Sequence, residues 1–352
     1  MNVDTLIVGL GIVGLNYAEQ LRKNNIDFVV IAPEEQSASH IAAGIVNPTV
    51  LKRFNAVWNA EIFLNCALPV YNNLEVLLGT KILYRLPIHR IFNSTQEQNE
   101  WGIAASSAAL EKFLNKEWIS NNRQLEINAP YGFGAVKQSA RVDTQRLLTD
   151  YRTKIILDRI VSEKINHQDL GVEDGSITYK DIKAKKVVFC QGYSSVVNPY
   201  FNYLPLIGSK GEMLIIECEA LSEQVIYKGP IFLSPMGNYK YWVGATFDRT
   251  DKSTKTSING REWLISKLNQ FLKLPYTILE QRAEIRATVQ DRRPLLGAHP
   301  KHKNMFIFNG VGTRGVLMSP LLSQWLFEFI ENNKKLPASV NINRFENKYF
   351  RN

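Results

Sequence analysis

The sequence predicts an α/β fold of two domains interleaved along the chain, one built on a parallel sheet flanked by helices and the other on a mixed, largely antiparallel sheet. Three observations carry this. A strand, a glycine turn, a helix and a second strand follow one another within residues 6–31. Strand and glycine-turn signals of the same kind return at 305–315, and long apolar strands lie between the two regions. At 352 residues the chain has the length of two domains of roughly 150 residues each.

In chain order, Leu6-Ile7-Val8 is a continuous apolar run, as a strand buried on both faces of a parallel sheet requires. Gly9-Leu10-Gly11-Ile12-Val13-Gly14 turns the chain. Leu15, Ala18 and Leu21 then recur at helical spacing, and Phe28-Val29-Val30-Ile31 makes the second strand. From about 50 to 136 the pattern is mixed, with helical stretches from Trp58 to Leu78 and short strands around Ile82–Tyr84 and His89–Phe92. Asp143 stands at the N-cap of a helix over Gln145–Tyr151. Strand signals resume at Ile155–Leu157, at a hairpin through Glu173-Asp174-Gly175 and at Val187-Val188-Phe189-Cys190. Glu212–Glu217 and Tyr239–Ala245 read as long strands of the second sheet. Met305–Phe308 leads into Gly310-Val311-Gly312-Thr313-Arg314-Gly315, and an apolar helix follows from about Val316 to Ile330. These elements assign 1–50, 137–205 and 285–352 to the parallel-sheet domain, and 51–136 and 206–284 to the other, substrate-binding domain.

Composition excludes several classes. A content of 45% hydrophobic and 21% charged residues is that of a globular chain, neither disordered nor fibrous. Three scattered cysteines, Cys66, Cys190 and Cys218, form no disulfide framework or metal spacing and fit a reducing compartment. His40, His89, His167, His299 and His302 are equally dispersed, so no metal is expected. No apolar run approaches the roughly 20 residues of a membrane span. The N-terminus shows no basic region or cleavage site of a secretory signal, so a cytoplasmic protein is expected. The net charge of +9 favours anionic partners through long-range steering.

The first glycine turn has a specific chemistry. Gly9 permits the turn, Gly11 lets the backbone approach a pyrophosphate, and Gly14 lets the helix pack against the strand, as in a Rossmann-like dinucleotide site. The pyrophosphate rests on the helix N-terminus, where free N–H groups and the positive dipole end favour an anion. The acid that holds the adenosine ribose is missing from the end of the second strand, which reads Ile31-Ala32-Pro33. Glu34 is the nearest candidate, with backbone and water as the alternative.

A nicotinamide enzyme and a flavoprotein share such an opening. Ser37-Ala38-Ser39 followed by Ala42-Ala43-Gly44-Ile45 separates them, and resembles the small-residue turn of the D-amino-acid oxidase/glycine oxidase family of FAD-dependent oxidoreductases. The likeness continues at Val142-Asp143, at Val161 and at Phe189-Cys190-Gln191-Gly192. It is most specific in Arg286-Ala287-Thr288-Val289-Gln290-Asp291-Arg292-Arg293-Pro294-Leu295-Leu296-Gly297 and in the Gly310–Gly315 turn. That turn is also similar to the one in the oxidase half of bifunctional tRNA wobble-uridine methylaminomethyl modification enzymes.

The resemblance implies non-covalent FAD held by Gly9, Gly11, Ile12, Val13, Gly14, Glu34, Ser39, Ala42, Ala43, Gly44, Ile45, Val161, Gly192, Gly310, Val311, Gly312, Thr313, Arg314, Gly315 and Val316. Val161 matches a residue that binds adenine through its backbone. The helix after Gly315 would aim its positive end at the pyrimidine side of the flavin. Arg286 occupies the place of the family's carboxylate-binding arginine and would grip a substrate carboxylate with two parallel hydrogen bonds. The alternative for Arg286 is a strand arginine paired with Glu284 or Asp291. Arg314 stands one position later than the family's arginine, and either faces flavin or substrate or pairs structurally. Phe232 replaces a substrate-binding tyrosine, which argues against simple glycine.

The activity implied is oxidation of the C–N bond of a small carboxylate-bearing amine by hydride transfer to flavin N5, the imine then being hydrolysed. Oxygen or another acceptor would take the electrons. The alternatives are an RNA-directed oxidase that removes an N-carboxymethyl group from a modified tRNA uridine, or a flavin-binding protein without turnover. Lys52, Arg53, Arg282, Arg286, Arg292, Arg293, Lys301, Lys303 and Arg314 would favour a multiply anionic substrate or RNA phosphates if they converged on the site.

Overall fold

A computed structural model describes residues 1–121, 126–173 and 175–350. Its first sheet has a parallel core in the order Ile160–Val161, Phe28–Ile31, Asn2–Val8, Ile182–Phe189, Met305–Asn309. Thr5 lies opposite Phe28 on one side and Lys186 on the other, so the Leu6–Val8 run is central and buried on both faces. An antiparallel hairpin, Leu170–Glu173 with Ser176–Tyr179, and the strand Leu295–Ala298 extend this sheet. Asp174, in the expected hairpin, lies outside the described residues, while Glu173 pairs with Ser176 across it.

The helix Ile12–Lys23 follows the first glycine turn and packs against the apolar helix Gly315–Asn332. Pro320 lies within that last helix and has no N–H to offer the Val316 carbonyl four residues back. The buried Tyr71 hydroxyl, from the helix Ala60–Leu78, donates to that carbonyl at 2.8 Å. This bond ties the start of the last helix to the mixed segment. Asp143 caps the helix Thr144–Asp150 by accepting from Arg146 N–H.

The second sheet has seven strands in the order Thr277–Val289, Leu206–Glu217, Lys240–Gly244, Phe232–Gly237, Ile226–Lys228, Ile88–Ile91, Phe133–Val136. Every pairing is antiparallel except Ile226–Lys228 with Ile88–Ile91. The helix Ile258–Asn269 covers one face with Leu264 and Leu268. The α/β class with a mixed, largely antiparallel second sheet is therefore observed.

Two local expectations need correction. Ile155–Leu157 is not a strand: Tyr151–Ile155 prolongs the preceding helix as a π turn, Leu157–Arg159 is a 3-10 turn, and the strand begins at Ile160. Tyr151 is fully buried and donates to Glu19, which holds the chain in the helical path past the point where the apolar run suggested extension. The strand Thr277–Val289, the longest in the molecule among the described residues, has no counterpart in the apolar pattern because charged residues fill much of it. It passes unbroken through 284–285.

Candidate functional site

The carboxyl ends of the parallel strands open into one large cavity of about 1090 Å³, lined there by Val8, Ile31, Cys190 and Asn309. This is where ligands of parallel α/β sheets bind. Two helices begin at its wall: one after Gly11, the other around Gly312–Val316. Neither has a side-chain cap or an acidic residue in its first turn. Each therefore presents a positive dipole end, with no carboxylate on its N–H donors, to the cavity. Ser39 Oγ accepts from Ile12 N–H at 3.0 Å, an oxygen already placed on the first of these helix ends. A Cβ on Gly14 would collide with the Gly9 carbonyl, so only glycine lets this helix start so close to the strand.

Ser37 to Ile45 forms one wall. Gly44 takes φ of +71° with its Cα face pressed on the Val142 carbonyl, which leaves no room for a side chain. Trp242 Nε1 donates to the Ile41 carbonyl at 2.9 Å and pins this wall to the second sheet. His40 is satisfied locally by Ser37. At the far end, where no acid closes the second strand, Arg152 donates to the carbonyls of Ala32 and Pro33 and to Ser162, and lines the cavity beside Glu34. Asn309 links the two glycine turns: its amide donates to Gly192 O and Ser195 Oγ and accepts from Gly310 N–H.

The opposite wall is the face of the second sheet, with Gly211, Met213, Trp242, Gly244, Phe232, Lys228, Glu284 and Arg286 on it. Arg286 lies over Gly211, whose missing side chain makes room for the guanidinium. Its one hydrogen bond among the described residues goes to the Thr246 carbonyl at 3.3 Å. Among the described residues no carboxylate approaches it within 4 Å: Asp291 is paired with Arg344 at 2.9 Å, and Glu284 accepts from Ile285 N–H. Burial without a counter-charge pulls Arg286 below its ordinary pKa and pushes the Glu284 carboxyl above the usual range.

The cavity thus brings together Gly9, Gly11, Ile12, Val13, Glu34, Ser39, Ala42, Ala43, Gly44, Ile45, Gly192, Val311, Gly312, Thr313, Gly315, Val316 and Arg286. Gly14, Val161, Gly310 and Arg314 stand outside its lining. The Val161 carbonyl accepts from Ala32 N–H and Glu163 N–H, behind the wall. Arg314 takes the structural alternative: its guanidinium donates to the Asn47 and Thr49 carbonyls at 3.2 and 3.3 Å. Of the basic residues singled out in the sequence, Arg286 lines the cavity; Arg282 pairs with Glu280 and Arg293 stacks on Trp58. Sequence reasoning missed Asn309, Arg152, Trp242 and Lys228, which carry no motif and become site residues only when the sheets are assembled. Among the described residues no cluster of His, Cys, Asp and Glu could hold a metal ion, and no helix is long and apolar enough to cross a membrane.

Comparison with known proteins agrees with this geometry. Residues 4–329 match the family described as FAD dependent oxidoreductase. The fold is similar to glycine oxidase from Geobacillus kaustophilus (16% identity, 98% of both chains, TM-score 0.78) and to iminodiacetate oxidase from Chelativorans sp. BNC1 (18% identity, 97% and 98% of the two chains, TM-score 0.74). A tRNA 5-methylaminomethyl-2-thiouridine biosynthesis bifunctional protein from Marinobacter nauticus is 24% identical over 183 residues, 47% of this chain and 28% of that protein. The chain spans well under two thirds of that relative. Two uncapped helix ends on one long cavity, with Ser39 oxygen already on one of them, fit the pyrophosphate and pyrimidine ends of FAD. The chain belongs to the FAD-dependent oxidoreductase family of the D-amino-acid oxidase type and is an FAD-dependent oxidoreductase.

Proposed function

We propose that the protein oxidises the C–N bond of a small amine that carries a carboxylate. The observation that supports this is Arg286, a part-buried guanidinium on the cavity wall with no carboxylate within 4 Å among the described residues. A buried cation left unpaired is costly, and a bidentate carboxylate is the anion its planar fork fits. When bound, FAD supplies the two-electron acceptor that takes a hydride from the substrate carbon.

The chain's own part is binding and orientation. Arg286 fixes the carboxylate, Phe232 and Trp242 supply apolar walls, and Phe232 offers no hydroxyl to a substrate as small as glycine. Hydride leaves from the neutral amine, whose nitrogen lone pair forms the C=N bond, so the cavity needs no dedicated base, and water hydrolyses the imine afterwards. On this reading Gly9, Gly11, Ile12, Val13, Ser39 and Ala42–Ile45 hold the dinucleotide, and Gly192, Val311, Gly312, Thr313, Gly315 and Val316 hold the flavin end. Residues 1–50, 137–205 and 285–352 form the FAD domain and 51–136 and 206–284 the substrate domain, with the strand Thr277–Val289 shared between them.

Arg286→Met tests it. Two charge-assisted bonds of about 1.5–3 kcal/mol each correspond to a loss of roughly 10²–10⁴ in kcat/KM. Retained kcat/KM in a folded, flavin-loaded variant overturns the assignment. The similarity to the tRNA-modifying protein supports a second reading, since an N-carboxymethyl uridine is also an N-substituted glycine. Tight, salt-sensitive tRNA binding would favour it; indifference to tRNA would remove it.

A further inference from the structure

Lys228 is a second cation on the same cavity wall, and nothing in the family motifs or the net charge points to it. It ends the strand Ile226–Lys228 and lies opposite Phe232 in the ladder. Its ammonium sits 4.9 Å from the centre of the Phe232 ring. Its hydrogen bonds go to neutral acceptors, the carbonyls of Gly229 at 2.7 Å and Pro230 at 3.1 Å. Among the described residues no carboxylate comes within 4 Å of it. The charges that face it add to its own: Arg90, paired with Lys228 across the ladder, and Lys52. Arg90 has its own partner in Glu97, at 2.9 Å, which leaves that carboxylate committed elsewhere.

The position of this cation relative to Arg286 follows from the sheet. The Arg286 guanidinium lies over Gly211, on the strand Leu206–Glu217, and the Lys228 ammonium lies over Phe232. Between them runs the strand Lys240–Gly244. Two strand spacings across the sheet, together with the two-residue offset of Gly211 from Met213 along it, separate the cations by about 12 Å. Gly244 and Met213, opposite each other in the ladder, form the floor of this gap, with the Trp242 indole lying over Gly244, so the groups between the two cations are apolar.

We propose that Lys228 forms a second anion subsite, so that the substrate amine carries two carboxylates, one held by Arg286 and the other by Lys228 beside Phe232. The proposal rests on the carboxylate-amine reading above and names the substrate class more narrowly: an N-(carboxyalkyl)glycine or an equivalent dianionic amine. Burial, with the like charges of Arg90 and Lys52 nearby, pulls the Lys228 ammonium down to about 8.

The test compares N-(carboxyalkyl)glycines of one, two and three methylenes with N-alkylglycines of matched length, using the flavin-loaded enzyme. For the best-fitting dianion, kcat/KM exceeds that of its alkyl counterpart by about 10- to 100-fold, the worth of one charge-assisted bond. Lys228→Met brings this ratio close to one, and Lys228→Arg restores most of it. A wild-type enzyme that prefers the alkyl series, or a Lys228→Met variant that keeps the dianion preference, overturns the proposal. The wild-type ratio decides the matter even where a variant fails to fold. If neither series reduces the flavin, the carboxylate-amine reading itself fails, an outcome distinct from loss of the second subsite alone.

Discussion

Gly211→Ala perturbs the substrate anchor without touching its charge. Gly211 lies in the long strand Leu206–Glu217, with a backbone conformation that alanine shares. A Cβ there would overlap the guanidinium carbon and both terminal nitrogens of Arg286. Restoring van der Waals separation requires the guanidinium to move by roughly 1.5 Å. Because the obstacle is the far end of a flexible side chain, the strand has no need to shift, and alanine is at least as well tolerated in a strand as glycine. Stability should change by less than about 1 kcal/mol. Catalysis should not be so tolerant, since a misplacement of about 1 Å in a positioning contact costs on the order of 10²-fold. The assay is kcat/KM on the best carboxylate-bearing amine, with thermal melting and flavin absorbance as controls. A loss of about 10²-fold with intact melting and flavin content is expected. Unchanged kcat/KM in the folded variant would refute the placement of the anchor over Gly211.

Other expectations follow from the same contacts. Tyr71→Phe leaves the Val316 carbonyl without the donor that substitutes for Pro320, and should lower stability by about 1–3 kcal/mol, read by denaturant unfolding. Arg314→Met removes two part-buried bonds to the Asn47 and Thr49 carbonyls, and should lower the melting temperature while leaving the substrate KM far less affected than Arg286→Met does. Lys228 titrates at about 8 in the folded protein against an ordinary 10.5, so below pH 8 its burial cost is carried in full and it is relieved as pH rises toward 10.5. Lys228→Met should therefore be more stable than the parent below pH 8, with the gap closing above it. In the parent, the kcat/KM advantage of dianionic over alkyl substrates should fall as pH rises through about 8, as the free enzyme loses the charge.

Much of the cofactor half was legible in the sequence because its signals are local. The buried run Leu6–Val8, the glycines before Ile12 and the apolar helix after Gly315 each declare themselves within a few residues. The substrate wall was less so. Thr277–Val289 is mostly exposed or half-buried and carries two Glu and two Arg between its apolar residues, so charged residues mask its period. Ile155–Leu157 failed for the opposite reason: an apolar run bounded by a buried tyrosine stayed helical. Arg314 and Lys228 show why charge alone says little. Arg314 sits inside a family motif yet spends its donors on main-chain carbonyls. Lys228 sits in no motif and faces the cavity because two adjacent strands bring it beside Phe232.

The most direct test of the account is anaerobic mixing of the flavin-loaded protein with an N-substituted glycine and, separately, with the same amine lacking its carboxylate. Bleaching of the flavin absorbance by the first and not the second, abolished in Arg286→Met, is the predicted result. Equal reduction by both amines, or reduction that persists undiminished in Arg286→Met, would contradict it.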